Sequence, residues 1–194
     1  MPMEELTNDY LTLMMSDTVA IGSMVGDAVV PPRVRAAMVA VYDTIFLSRL
    51  IGVCLQSSLI LAEVLERIGC SVRVIDGLSL TGKEGFWHCW LDVDGTTVDI
   101  GNATMVAINL TVHDLSVSPA DTLTEDINAP CRRLDMKSDK LVPGVLLNVK
   151  SLAAFRKHNS YDQYWKETKP DLTENTALWL SLMKARAILK KMSF

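Results

Sequence analysis

None of the four cysteines, Cys54, Cys70, Cys89 and Cys131, falls in a C-x-x-C pair or at a zinc-finger spacing. That removes the sequence grounds for a structural zinc site or a disulfide framework and fits free thiols in a reducing cytosol. Missing too is any cluster of lysine and arginine dense enough to hold phosphates. With a net charge of −4, no nucleic-acid surface is expected. The longest apolar run is broken by Asp43 and Arg49 before it reaches the length of a membrane span. The opening MPMEEL is acidic where a secretory signal would be basic. The expected location is therefore cytoplasmic, with no membrane partner. No internal repeat or low-complexity tract interrupts the chain. Its 194 residues, 49% of them hydrophobic, suit one well-buried domain better than two.

Against these absences one stretch stands out, residues 52–101, GVCLQSSLILAEVLERIGCSVRVIDGLSLTGKEGFWHCWLDVDGTTVDIG. Residues 55–68 are apolar on almost every side through Ile60, Leu61 and Ala62, with charge confined to Glu63, Glu66 and Arg67, which predicts a helix whose first half is buried. Gly69 supplies a left-handed stop, and Ser71 to Ile75 alternates as a half-buried strand does. Cys54 thus stands at the mouth of a helix, where free N–H groups and the positive end of the dipole favour a thiolate. Phe86 to Val93 and Thr96 to Ile100 read as strands joined by the turn signal Asp94-Gly95. A two-residue loop sets Val93 against Thr96 and Trp90 against Asp99, leaving His88 diagonal to Asp99 on one face. Diagonal partners lie about 7–8 Å apart at the backbone, within reach of an imidazole and a carboxylate. Nucleophile, base and orienter, the parts of an activated thiol, are all present.

The ordered set Cys54, Gly69, Gly77, His88-Cys89-Trp90 and Val98-Asp99 resembles the transglutaminase-like superfamily of papain-type cysteine enzymes. Within it, CLQSSLILAEVLERIGCSVRVIDG followed by WHCWLDVDG is most similar to the lasso-peptide leader-peptide proteases. The likeness spans about a quarter of the chain and departs from the family at two points. Cys89 stands where the family has Ala, and Ile100 follows Asp99 where Pro is usual. The upstream Trp or Gln that completes an oxyanion hole in some relatives is missing before Cys54, so the second oxyanion donor is unassigned. The resemblance implies an α+β papain-like, transglutaminase-like fold, with a central helix carrying the nucleophile packed on an antiparallel sheet and further helices at both ends. It implies a Cys54–His88–Asp99 triad, an acyl-enzyme thioester and hydrolysis of a peptide, isopeptide or other amide bond in a peptide or protein substrate. No cofactor or metal is expected. An acyltransferase or transglutaminase using the same triad, and an inactive binding module with this fold, are the alternatives. Nothing in the sequence speaks to oligomeric state.

The remainder reads as support, with a core over about 32–112 and a helical C-terminal extension over about 144–194. Residues 4–15 carry apolar side chains at helical spacing, and a Gly- and Ala-rich segment follows to Val30. After Pro31-Pro32, the positions Val34, Met38, Val41 and Ile45 predict a helix to about Leu50. Val106, Ile108 and Leu110 alternate as in a strand. Residues 116–143, with three prolines and nine charged side chains, read as a long surface connection bordering the cleft. A helical pattern runs from Val145 to about His158, and the stripe Leu178, Leu182, Ala185, Leu189 and Met192 predicts a final amphipathic helix.

Each site residue has a plainer reading beside it. Cysteine is commonly a small buried hydrophobe, His88 taken alone is a core histidine and Asp99 a strand-end cap; the shared face of the last two raises all three. Trp90 lies on that face too, where packing is the commoner role and substrate contact the alternative. Cys70 and Cys89 read as core residues, with Cys89 facing away from His88. Cys131, His113 and His158 read as idle surface groups. Tyr161, Tyr164 and Trp165 are either a core between terminal helices or a peptide-binding rim.

Overall fold

The computed structural model describes residues 17–48, 54–81, 84–101, 103, 123–124, 132–133, 157, 160–167 and 172–194, with backbone alone at 17, 76, 78–81, 84–87, 123–124, 132–133 and 172–178. Three helices come first: α1 (Asp17–Val25), α2 (Pro32–Leu47) and α3 (Cys54–Arg67). The strands β1 (Val72–Thr81), β2 (Glu84–Val93), β3 (Thr96–Val98), β4 (Leu123–Thr124) and β5 (Arg132–Arg133) follow, then α4 (Tyr161–Glu167) and α5 (Leu172–Lys190). The architecture is α+β.

Helix α1 occupies the segment that sequence alone leaves without structure. Its Gly22 lowers helix stability by about 1 kcal/mol, but Ala20, Ile21, Met24 and Val25 are all buried. Burying each of the three larger side chains contributes about 1.5–3 kcal/mol, so packing overrides propensity. Gly26, at φ 60, ends the helix in the left-handed conformation. Helix α2 starts with Pro32 at its first turn and buries Val34, Ala37, Met38, Val41, Tyr42, Ile45 and Phe46, the i, i+3, i+4 stripe of an amphipathic helix. It ends at Leu47, a turn earlier than its apolar pattern suggests.

Helix α3 is buried on every side from Leu55 to Ala62. Its end is a Schellman motif: Cys70 N–H donates to the Leu65 carbonyl at 3.0 Å and Gly69 N–H to the Glu66 carbonyl at 2.9 Å, with Gly69 at φ 92. The chain then enters a long antiparallel hairpin in which β1 and β2 pair from Val72↔Val93 to Thr81↔Glu84. Strand β1 therefore runs well past Ile75, where the local alternation ends, because the facing strand supplies backbone partners along its whole length.

Asp94 and Gly95, at φ 50 and 85, make the two-residue turn between β2 and β3. The rungs Val93↔Thr96, Asp92↔Thr97 and Leu91↔Val98 follow, the register counted from the sequence. Strand β3 is two residues shorter than its sequence signal. It stops at Val98, and the backbone is helical at Ile100 and Gly101. At the break, Asp99 N–H leaves the ladder for the Met24 carbonyl of α1 at 2.8 Å, while the Asp99 carbonyl accepts from Ala103 N–H at 3.4 Å.

The sheet has the order β3-β2-β1-β4, and β5 pairs with β2 in parallel. Strands β4 and β5 come from the 116–143 segment expected to be a connection only. Leu123 and Thr124 pair with Ser79 and Leu78, and Arg132 and Arg133 with Glu84 and Gly85. The correction has a simple cause, since the long hairpin offers unpaired edges that even a polar segment satisfies through backbone bonds. The rest of that segment lies outside the described residues, as do the helix read over 4–15, the alternation at 106–110 and the helix read from Val145 to His158 save Lys157.

One face of the sheet, through Cys89, Leu91, Val93 and Val98, joins the helical core with Leu59, Leu61, Met38 and Ile45. On the other face Ile75 and Trp90, opposite each other, are also buried. Helices α4 and α5 close the far side. Arg186 Nε donates to Glu63 Oε2 at 2.6 Å and Arg186 Nη2 to Asp162 Oδ1 at 2.7 Å. Arg67 donates to the carbonyls of Leu189, Lys190 and Met192, a cation at the C-terminus of α5. Tyr164 and Trp165 are buried in this region, with Trp165 edge-on to Tyr164 at 5.0 Å. Their place is the core, which excludes the rim reading for this pair.

Candidate active site

Cys54 is the first residue of α3 and is only partly buried, so its thiol sits at the positive end of a helix and remains reachable. His88 belongs to β2, eleven residues before Asp99. Its Nε2–H donates to both Asp99 carboxylate oxygens at 2.8 Å. The two side chains are 5% and 2% exposed, so bulk water does not screen the pair. The Cys54 side chain lies beside the same imidazole, close enough to add to the forces that hold its proton. The three residues singled out in the sequence are thus brought together, with the carboxylate on Nε2 of the imidazole and the cysteine beside the ring.

The electrostatics follow from this arrangement. Burial opposes charge on the His88 ring, but the Asp99 carboxylate, its hydrogen bond and the Cys54 side chain outweigh burial and hold the ring up to about 10. At neutral pH the buried imidazole is therefore cationic, clamped between an acidic side chain and a sulfur. The other described thiols are placed differently. Cys70 is pushed up by burial and then by the Asp94 carboxylate, against the opposing pull of Arg33. Cys89 is fully buried in the face packed on α3. Cys131, His113 and His158 lie outside the described residues.

Trp90 packs beside the imidazole, centroids 6.2 Å apart and planes at 21°. It is 3% exposed, which makes it a wall of the histidine site. Among the described residues no group of three or more His, Cys, Asp or Glu side chains is placed to hold a metal ion. No helix among them is long and apolar enough to cross a membrane.

Two supporting contacts escape a reading by sequence. Ser58, one turn after Cys54, is fully buried and donates its hydroxyl to the Cys89 carbonyl at 3.1 Å. That bond holds the nucleophile's helix to the strand of His88. Its trace in the sequence is the polar pair Ser57-Ser58 inside an otherwise apolar buried helix. The second contact, Met24 carbonyl to Asp99 N–H, passes through backbone atoms and leaves no trace in residue type.

No family model matches the chain, and neither does any curated protein or solved structure. The likeness to transglutaminase-like enzymes therefore rests on the ordered residues alone.

Proposed function

We propose that this chain is a thiol hydrolase of papain-like, transglutaminase-like type that cleaves a peptide, isopeptide or other amide bond through Cys54, His88 and Asp99. The observation that carries the reading is the buried imidazole held on one side by the Asp99 carboxylate and lying beside a cysteine at a helix N-terminus. Acyl transfer uses each part of that combination.

The chemistry follows the placement of the protons. With His88 already cationic, the Cys54 sulfur attacks as the thiolate, its charge balanced by the imidazolium, and forms a bond to the substrate carbonyl carbon. The oxyanion that develops meets the backbone N–H of Cys54 at the start of α3, a contact of a kind that contributes about 2.7–4 kcal/mol in enzymes where it has been removed. Collapse breaks the C–N bond, and the His88 proton goes to the departing amine. The resulting thioester is resolved by water, which gives a proton to His88 and displaces the sulfur as the acid product forms. Throughout, Asp99 fixes the tautomer with Nε2–H and balances the imidazolium charge. Peptides or proteins are the substrate class, by the likeness to leader-peptide proteases.

The test is alkylation by iodoacetamide between pH 5 and pH 10, with the labelled cysteine identified by mass spectrometry. Cys54 is expected to react first at neutral pH, and the His88→Ala variant to lose that preference. Preferential labelling of Cys70, Cys89 or Cys131 in folded protein would remove the basis of the mechanism.

A further inference from the structure

We propose that Gly101 is a positioning residue of the triad, glycine because His88, Cys54 and Asp99 converge on the space its side chain would fill. The inference deepens the thiol-hydrolase reading and rests on it. A Cβ at this position would lie 2.7 Å from His88 Cε1, 3.2 Å from Cys54 Cβ and 3.3 Å from Asp99 Oδ1. The first distance is shorter than side-chain carbons tolerate, and the other two are tight. At Gly22, Gly26, Gly69 and Gly95 an added Cβ would meet nothing within 4 Å. Three of those, Gly26, Gly69 and Gly95, have positive φ and are glycine for conformation. Gly101 is not among them. What it supplies is room.

The atom it touches matters. Cε1 lies between Nδ1 and Nε2, so the ring edge against Gly101 carries both ring nitrogens. His88 is only 4% exposed, so the ring has little room to move outward. A side chain here must push something aside, and none of the neighbours gives easily. The ring is held by two bonds to Asp99 and stacked on Trp90. Cys54 Cβ belongs to a helix whose next eight residues, Leu55 to Ala62, are all buried. Asp99 is two residues back on the same chain, anchored to Met24. Displacing the ring draws the imidazole from the sulfur; displacing residue 101 drags the carboxylate from Nε2. Misplacement by about 1 Å is enough to slow catalysis about 100-fold.

The experiment compares wild-type, Gly101→Ala and His88→Ala proteins by iodoacetamide labelling of each cysteine across pH 5–10. Gly101→Ala is expected to slow Cys54 labelling at pH 7 at least tenfold and to move its pH midpoint upward, while Cys70 and Cys89 label as in wild type. Wild-type rate and midpoint at Cys54 in the Ala variant would overturn the inference and leave the hydrolase reading standing. Indifference of Cys54 to His88→Ala would overturn both, and so separates the two failures. Should Gly101→Ala not fold, which fast labelling of Cys89 would reveal, the decision falls to NMR of the wild-type protein. A nuclear Overhauser contact between the Gly101 α-protons and the His88 Cε1 proton supports the proposal, and its absence overturns it.

Discussion

Ser58 Oγ donates to the Cys89 carbonyl at 3.1 Å, and through this bond the helix that begins with Cys54 is fixed against the strand that carries His88. Ser58 lies four residues after Cys54, on the same side of α3, and Cys89 directly follows His88. The two ends of the link are therefore one helical turn from Cys54 and one residue from His88.

Ser58→Ala should accordingly destabilise the fold by about 1–2 kcal/mol, the loss of one buried neutral hydrogen bond. Its effect on Cys54 should be larger than that figure suggests, because helix and strand are then free to slide. Urea unfolding measures the first and the labelling rate of Cys54 the second. A variant with lowered stability and an unchanged Cys54 rate would show that the bond holds the core and nothing more.

Asp99→Asn removes the charge beside His88 and keeps the shape. The imidazolium then loses its largest favourable contact, and an amide can hold the ring in the wrong tautomer. Turnover should fall by about 10²–10⁴, and the His88 ring, followed by NMR, should titrate well below 10 with far-ultraviolet circular dichroism unchanged. If the titration stays where it is in wild type, Asp99 is not what raises it.

The His88 shift also predicts how stability varies with pH. The ring is raised from 6.5 to about 10 on folding, so between those values the native state binds a proton that the unfolded state has lost. The contribution is complete below about pH 6.5 and disappears as pH rises through about 10. Stability attributable to His88 should therefore decline from pH 6.5 to 10, and the stability gap between wild type and His88→Gln should narrow over the same window. Urea midpoints at pH 6, 8 and 10 measure it; a constant gap would place the raised titration elsewhere.

Two carboxylates share one guanidinium at the α3–α5 contact, with opposite consequences. Arg186 and Glu63 have side chains only 11% and 15% exposed, whereas Asp162 is 57% exposed. Arg186 also lies over the Trp165 ring at 5.4 Å. Arg186→Ala should lower stability by about 2–4 kcal/mol, since it leaves a mostly buried Glu63 with only the longer Lys190 contact at 3.5 Å and removes a cation from an aromatic face. Asp162→Asn should change it by less than about 1 kcal/mol, because solvent screens an exposed pair. Equal effects in thermal unfolding would mean that burial of Glu63 contributes nothing.

Much of the site is legible in the chain because its signals are local. Gly69 stops α3 through its own φ, Asp94-Gly95 dictates a tight turn, and the alternation of β2 and β3 has a period of two. From those three facts the pairing of His88 with Asp99 follows by counting, and the structure keeps that count even though β3 ends before Asp99. The buried character of α3 is equally plain, since Leu55 to Ala62 offers water nothing but Gln56 and two serines. Where local preference and packing disagree, the sequence misleads. Helix α1 hides behind Gly22 and β-branched neighbours, β1 outruns its alternation to Thr81, and Leu123–Thr124 and Arg132–Arg133 become strands inside a polar stretch.

By itself, then, the sequence determines the helix that begins with Cys54, the hairpin, and the face that His88 and Asp99 share, because each depends on residues near one another in the chain. Only the tertiary structure brings the sulfur to the imidazole. That meeting requires α3 to dock on the Cys89 face of the sheet, Met24 of α1 to draw Asp99 out of the ladder, and position 101 to leave space where three side chains meet. These are contacts between segments far apart in sequence, set by packing and by backbone atoms every residue carries, so the local pattern around each residue does not say which partner it will meet.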